Sequence, residues 1–255
     1  QTHHLRLIEK LSSSLDNITF SSGEWQNIIT ESPSIIYSLV LLKEKKCPTS
    51  LLENLLSQVH VMELTEEQWQ AIFTDSSATV SAILLSASSG NHNLLNVAIP
   101  HLSQSSAITW QNIIRHEPRV VAHLAYAVSH GHITQLEAHL PTIIEKLSED
   151  SWVSVLTTGD SLIQLSNAFQ KGHRDLFDAA KVHFGKLSSD NWGSILQKSA
   201  KIISKSISLA KEEEPSLLNA ITNYLQGQSP KDLSTTLSNI QDHIPKLASY
   251  AIHIR

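Results

Sequence analysis

The chain of 255 residues is 41% hydrophobic and 17% charged, with only eight glycines and eight prolines. That balance suits a packed globular chain and argues against disorder and against a many-turned β protein. Acids outnumber bases 24 to 19 for a formal net charge of −5, which disfavours a basic face of the kind that grips a phosphate backbone.

Cys47 is the only cysteine, so no disulfide framework and no thiolate metal cluster is available, and an intracellular, reducing compartment is expected. No apolar run approaches the roughly 18 residues of a membrane-spanning helix, and no signal peptide opens the sequence. Residue 1 is glutamine and the sole methionine is Met62, so the expectation is a segment of a longer protein.

Five tryptophans set a period. Trp25, Trp69, Trp110, Trp152 and Trp192 are 44, 41, 42 and 40 residues apart. Each is followed at +3 and +4 by an apolar pair: Ile28-Ile29, Ile72-Phe73, Ile113-Ile114, Val155-Leu156 and Ile195-Leu196. Apolar residues at those offsets share one helix face with the tryptophan, and self-similarity at such a period marks a repeat architecture.

In chain order, His4–Leu11 carries Leu5, Leu7, Ile8 and Leu11 and reads as a last helix whose repeat is otherwise missing. Repeats are then predicted near 21–64, 65–105, 106–147, 148–187 and 188–232, each of three helices. Ser32-Pro33 has the form of an N-cap followed by proline at the first helical position, and Pro118 marks a similar start in the third repeat. In the second repeat Thr65 and Gln68 have capping-box spacing at the head of a short helix over 65–73. Val80, Ile83, Leu84 and Ala87 then form the buried stripe of a second helix. Gly90, like Gly131 and Gly172 in the next two repeats, suits the left-handed position that ends it. A third helix carries Leu94, Leu95, Ala98, Ile99 and Leu102. Pro100 and Pro141, each 31 residues past a tryptophan, are expected to kink or split that helix; the fourth repeat lacks such a proline and is expected to run straight. From 233 to 255 a partial sixth unit follows, with Leu237 in the tryptophan's place and Ile240 at +3. Leu247, Ile252 and Ile254 then crowd an end without an obvious polar cap.

A short helix and two longer ones in about 42 residues resemble, over nearly the whole chain, the armadillo and HEAT class of α-solenoid repeats. The resemblance is one of period and helix plan. It implies an all-α, right-handed superhelical α-solenoid forming one domain over 1–255, with a long groove suited to protein or peptide recognition.

Among the fourteen histidines, His130 and His132 flank Gly131, with His123 and His139 not far away. His132 and His173 share one repeat position, so they are expected to be turn residues rather than metal ligands; zinc needs three or four converging donors. Cys47 follows Lys45 and Lys46, which favour a thiolate, and is expected to be an exposed loop thiol. Glu212, Glu213 and Glu214 are expected to form a solvated loop. No nucleophile elbow, phosphate loop or metalloprotease motif is present, so neither an enzyme nor a cofactor is expected. The tryptophans are expected to wedge the short helices into the core.

One polar residue follows the apolar pair of each third helix: Glu53, Asn96, Glu137, Asp178 and Asn219, spaced by 43, 41, 41 and 41. With the neighbouring apolar positions in the core, these five are predicted to line a partner-binding face, amides meeting an extended backbone and carboxylates meeting Lys or Arg. The leading expectation is a protein-interaction scaffold for an extended or basic segment. The alternative is an accessory or autoregulatory repeat region of a larger enzyme. The Ser-, Asn-, Ile- and Lys-rich text is similar to that of effector proteins of intracellular bacteria, which would place the chain in a host cytosol.

Overall fold

The computed structural model describes residues 19–44, 50–86, 92–131, 137, 140–145, 147–241 and 245. Among the described residues every regular element is helical and no strand occurs. The chain divides into two units, Gln1–His139 and Leu140–Arg255.

The first unit holds α1 (Ser22–Glu31), α2 (Ser34–Glu44), α3 (Ser50–Gln58), α4 (Glu66–Asp75), α5 (Ser77–Ser86), α6 (His92–Gln104), α7 (Ala107–His116) and α8 (Arg119–Ser129). The second holds α9 (Leu140–Ile144), α10 (Glu149–Thr157), α11 (Ser161–Gln170), α12 (Asp175–Lys181), α13 (Ser189–Lys198), α14 (Lys201–Lys211), α15 (Ser216–Gln226) and α16 (Pro230–Asn239).

Each tryptophan-bearing helix starts on a hydroxyl. Ser21, Thr65, Ser106, Ser148 and Ser188 are extended N-caps that accept a bond from the backbone N–H three residues on. The bond becomes a reciprocal capping box at Ser21–Glu24, Thr65–Gln68 and Ser188–Asn191. Such a cap stabilises a helix start by about 1 kcal/mol. It also sets the rotation of the helix that follows, because the tryptophan always stands four residues after the cap. All five tryptophans are 1–4% exposed, so each works as a core wedge. Their +4 partners Ile29, Phe73, Ile114, Leu156 and Leu196 are buried with them.

The helices pair with their counterparts one period on. In the first unit α1 packs on α4 and α4 on α7, while α2 packs on α5 and α5 on α8. The 3-10 turn Val59–Val61 that ends α3 packs on α6. In the second unit α10 packs on α13 and α13 on α16, α11 on α14, and α9 on α12. The middle helices are the most enclosed: α5 buries Thr79 through Leu84 in an unbroken run.

Several local expectations need correction. Ser32 closes α1 as its C-cap, with its N–H bonded to Ile28 O, and α2 begins at Ser34 after Pro33. Pro118 is itself the N-cap of α8, so in both places the proline stands a residue outside the helix, where its missing N–H costs nothing. Helix α6 continues through Pro100 without a break; Pro141 is the second residue of α9, and the two residues before Leu140 lie outside the described ones. The fourth repeat's third helix does not run straight: α12 ends at Lys181, and the chain continues through Val182 and His183 into the 3-10 turn Phe184–Lys186. There His183 N–H bonds Ala180 O, an i→i−3 tightening of the last turn.

Helix α16 is capped by Ser229 with Pro230 at its first position. Four residues on from that cap stands Leu233, so Leu233 and not Leu237 takes the tryptophan's place; Leu237 falls at +4, and Ile240 is fully buried beyond the helix. Gly131 and Gly172 have φ of +72° and +95°, the left-handed conformation that their place after α8 and α11 requires. The expectations on His4–Leu11, Cys47, Ala87, Gly90, His132, His139, Leu247, Ile252 and Ile254 lie outside the described residues.

Candidate functional site

Four of the five predicted partner-binding residues stand behind buried apolar neighbours; the residue before Glu137 lies outside the described ones. Glu53 on α3 and Asn96 on α6 are exposed, next to buried Leu52 and Leu95. Glu137 is helical and half-buried. Asp178 on α12 is half-buried and Asn219 on α15 is exposed, each following a buried pair, Leu176-Phe177 and Leu217-Leu218.

In the second unit the two predicted residues meet through a third that the sequence did not single out. Lys181, one turn after Asp178, lines a groove of about 440 Å³ that Asn219 also lines. Its Nζ lies 2.6 Å from Asp178 Oδ1 and 2.9 Å from Glu214 Oε2. The bonds to Asp178 and Glu214 hold the ammonium above its ordinary pKa. Burial alone would raise Glu214, but its bonds from Ser216 and Lys181 outweigh that and keep its carboxyl below the usual range. Glu214 is therefore not part of a solvated loop; its side chain is 13% exposed and paired. Glu213 beside it takes the exposed, left-handed turn position, with φ of +66°.

The groove's apolar lining comes from Phe184, Leu187, Trp192 and Ala220, and its polar lining includes Ser189, Asn223 and Tyr224. Phe177, Phe184 and Trp192 form a chain of edge-to-face rings, with centroids 5.8 and 6.2 Å apart.

The last turns of the third helices hold a second set of residues that the sequence reading passed over. His101 stacks on Trp69, with centroids 5.2 Å apart and 15° between the planes, and its Nδ1 is bonded to Glu66. Burial would raise Glu66, but the bonds from His101 and Gln70 hold it below its ordinary value. His183 stacks on Trp152 at 5.6 Å and 18°. Burial lowers its pKa, and nearby Lys186 lowers it further against the opposing pull of Glu149. In the first repeat Asn54 takes over, accepting from Trp25 Nε1 at 2.7 Å and from Phe20 N–H at 2.9 Å. The signal was present in the spacing: His101 and Tyr224 stand 32 residues after their tryptophans and His183 stands 31 after its own.

The residue directly after the tryptophan works on the same seam. Gln26 reaches Glu63 O, and Gln70 donates to both Glu66 Oε1 and His101 O. In the fifth repeat this position is Gly193, inside α13. A glycine in a helix interior costs about 0.5–1 kcal/mol relative to alanine, and here a Cβ would stand 3.3 Å from the Tyr224 hydroxyl. Gly193 thus makes room for Tyr224.

A partly buried polar ladder crosses the middle helices of the first unit. Tyr37, Ser81 and His123 occupy like positions on α2, α5 and α8, 44 and 42 residues apart. Ser81 Oγ lies 2.9 Å from His123 Nδ1. Glu117, 8% exposed, holds Arg119 through Nε and Nη2, both at 2.6 Å, and Arg119 also reaches the Tyr37 hydroxyl. Burial first, and Arg119 second, push His123 down to about 4, against the opposing effects of Glu117 and Ser81. Although the Ser81–His123 contact has the form of a nucleophile and its base, Ser81 is 1% exposed and presents no surface to a substrate.

Among the described residues no group of three or more His, Cys, Asp or Glu side chains gathers to hold a metal ion, and no helix is long and apolar enough to cross a membrane. No family model, no curated protein and no solved structure matches the chain.

Proposed function

We propose that the chain is an α-solenoid of three-helix repeats on the armadillo/HEAT-like plan, acting as a protein-interaction scaffold that takes an extended or basic segment along the third helices. What carries this reading is the polar residue that follows the buried pair of each third helix at a period of 41–43 residues, exposed at Glu53, Asn96 and Asn219 and half-buried at Glu137 and Asp178. Stacked repeats bury their apolar stripes on one another and leave equivalent positions in a row. Such a row offers amides to a backbone and carboxylates to Lys or Arg, although Asp178 is already paired with Lys181. The pairing of first and middle helices with their counterparts one period on, within each unit, supports the same plan.

The test is affinity capture from cell extract with the wild-type chain and a Glu137→Lys, Asp178→Lys variant, each checked for unchanged helicity. The expected result is a partner retained by the wild type and lost by the variant. Equal recovery by both would remove the proposed face from the binding surface.

A further inference from the structure

We infer that the groove of the second unit is a side-chain subsite that receives an aromatic residue of an uncharged, extended peptide, whose backbone is held by Asn219 and Asn223. The assignment rests on the scaffold reading above and narrows it to one place and one chemistry.

Volume comes first. At about 440 Å³ the groove falls in the range of roughly 300–1,000 Å³ usual for ligand sites, with space for a phenyl or phenol ring. Phe184 and Trp192 meet edge to face in its wall but are only 3% and 4% exposed, so a guest ring meets mainly the half-buried Ala220 and Tyr224.

The rim suits a backbone. Asn219 and Asn223 lie four residues apart on α15, both exposed and both lining the groove. Four residues of helix advance about 6 Å, while like-facing backbone groups of an extended chain recur every two residues, or about 6.6–6.8 Å. Each amide offers a donor and an acceptor, and neither is engaged by another described group of the chain.

Charge decides against an ionic ligand. The groove's one lysine, Lys181, is bridged by two carboxylates of its own chain, Asp178 and Glu214. An anion would have to displace them, and a cation would meet carboxylates already bound to an ammonium. The neutral peptide bond meets neither obstacle.

The site differs from the corresponding seam of the first two repeats. Gln26 and Gln70 reach across the corresponding seam in the first and second repeats. In the fifth repeat Gly193 carries no such side chain, and the Tyr224 hydroxyl takes the space beside it.

The test uses the full chain, labelled at its indole nitrogens, and N-acetyl-phenylalanine N-methylamide as the probe: one aromatic ring between two peptide bonds. The five tryptophan N–H signals are followed by NMR. The expected result is a saturable shift of the Trp192 signal, with those of Trp25, Trp69, Trp110 and Trp152 still. The alanine analogue should move it several-fold less. Ala220→Leu fills the groove with a good helix former and should abolish the shift, while the other four signals report an intact fold. Asn219→Ala and Asn223→Ala should each weaken the probe about fivefold, the loss of one hydrogen bond. A still Trp192 signal, a shift shared by all five, or undiminished binding to Ala220→Leu would overturn the subsite. If a partner is nevertheless captured and lost with Glu137→Lys, Asp178→Lys, the scaffold reading stands without the subsite. If the probe shifts Trp192 saturably and no partner is captured, the subsite stands and the scaffold reading falls.

Discussion

Acid should loosen the first unit through a single imidazole. His123 sits on α8 against Ser81 of α5, with Arg119 a turn before it and the Glu117 carboxylate close by. Its folded pKa is about 4, against an ordinary value of 6.5. Between those values the unfolded chain holds a proton that the folded chain refuses, so stability falls as pH falls. The contribution is whole above about pH 6.5, and a gap of that size corresponds to about 3 kcal/mol, of which roughly 2–3 kcal/mol is gone by about pH 4.5. His123→Gln keeps a polar group near Ser81 but has no proton to gain. The assay is native-state hydrogen exchange of the α5 and α8 amides in wild type and variant, at about pH 7 and pH 4.5, corrected for intrinsic exchange. Carboxylates titrate in the same window, and comparison of the two proteins cancels them. The wild type should lose roughly 2–3 kcal/mol more protection than the variant. If His123→Gln loses as much as the wild type, the His123 imidazole is not the acid-sensitive group.

Three further outcomes follow from packing and charge. Trp110→Ala removes a side chain that is 1% exposed and should cost about 3–5 kcal/mol, read from the urea midpoint of the first unit's exchange-protected core. Lys181→Ala leaves the Glu214 carboxylate, 13% exposed, without its cation. The second unit should lose about 1–3 kcal/mol, and the Glu214 carboxyl resonance should titrate at higher pH than in the wild type; an unmoved titration would show that Lys181 does not hold it. Gly172→Ala places a Cβ at φ of +95° and should cost about 1–2 kcal/mol in thermal or urea unfolding, whereas Gly185→Ala, with open space around its Cβ position, should stay within about 0.5 kcal/mol.

The tryptophan-bearing helices and their starts were legible in the sequence because their causes are local. A hydroxyl satisfies the N–H three residues on whatever the rest of the chain does, so Ser21, Thr65, Ser106, Ser148 and Ser188 announce five helices. An apolar pair at +3 and +4 names the face that each of them buries. Positive φ at Gly131 and Gly172 is likewise a short-range requirement. Only where the tryptophan itself is missing did the register slip, from Leu233 to Leu237, because a leucine at either place satisfies the periodicity and Ser229 alone resolves it. What crosses between helices was not legible. Lys181 meets Glu214 across 33 residues, His101 meets Glu66 across 35, and Ser81 meets His123 across 42. No local rule couples residues so far apart. Whether Asp178 faces a partner or its own Lys181, whether the glutamate at 214 is solvated or paired, and whether the seam beside a tryptophan is crossed by glutamine or filled by Tyr224 depend on the distance between neighbouring helices. That distance is set by the packing of whole repeats, so it was decided only in the tertiary structure.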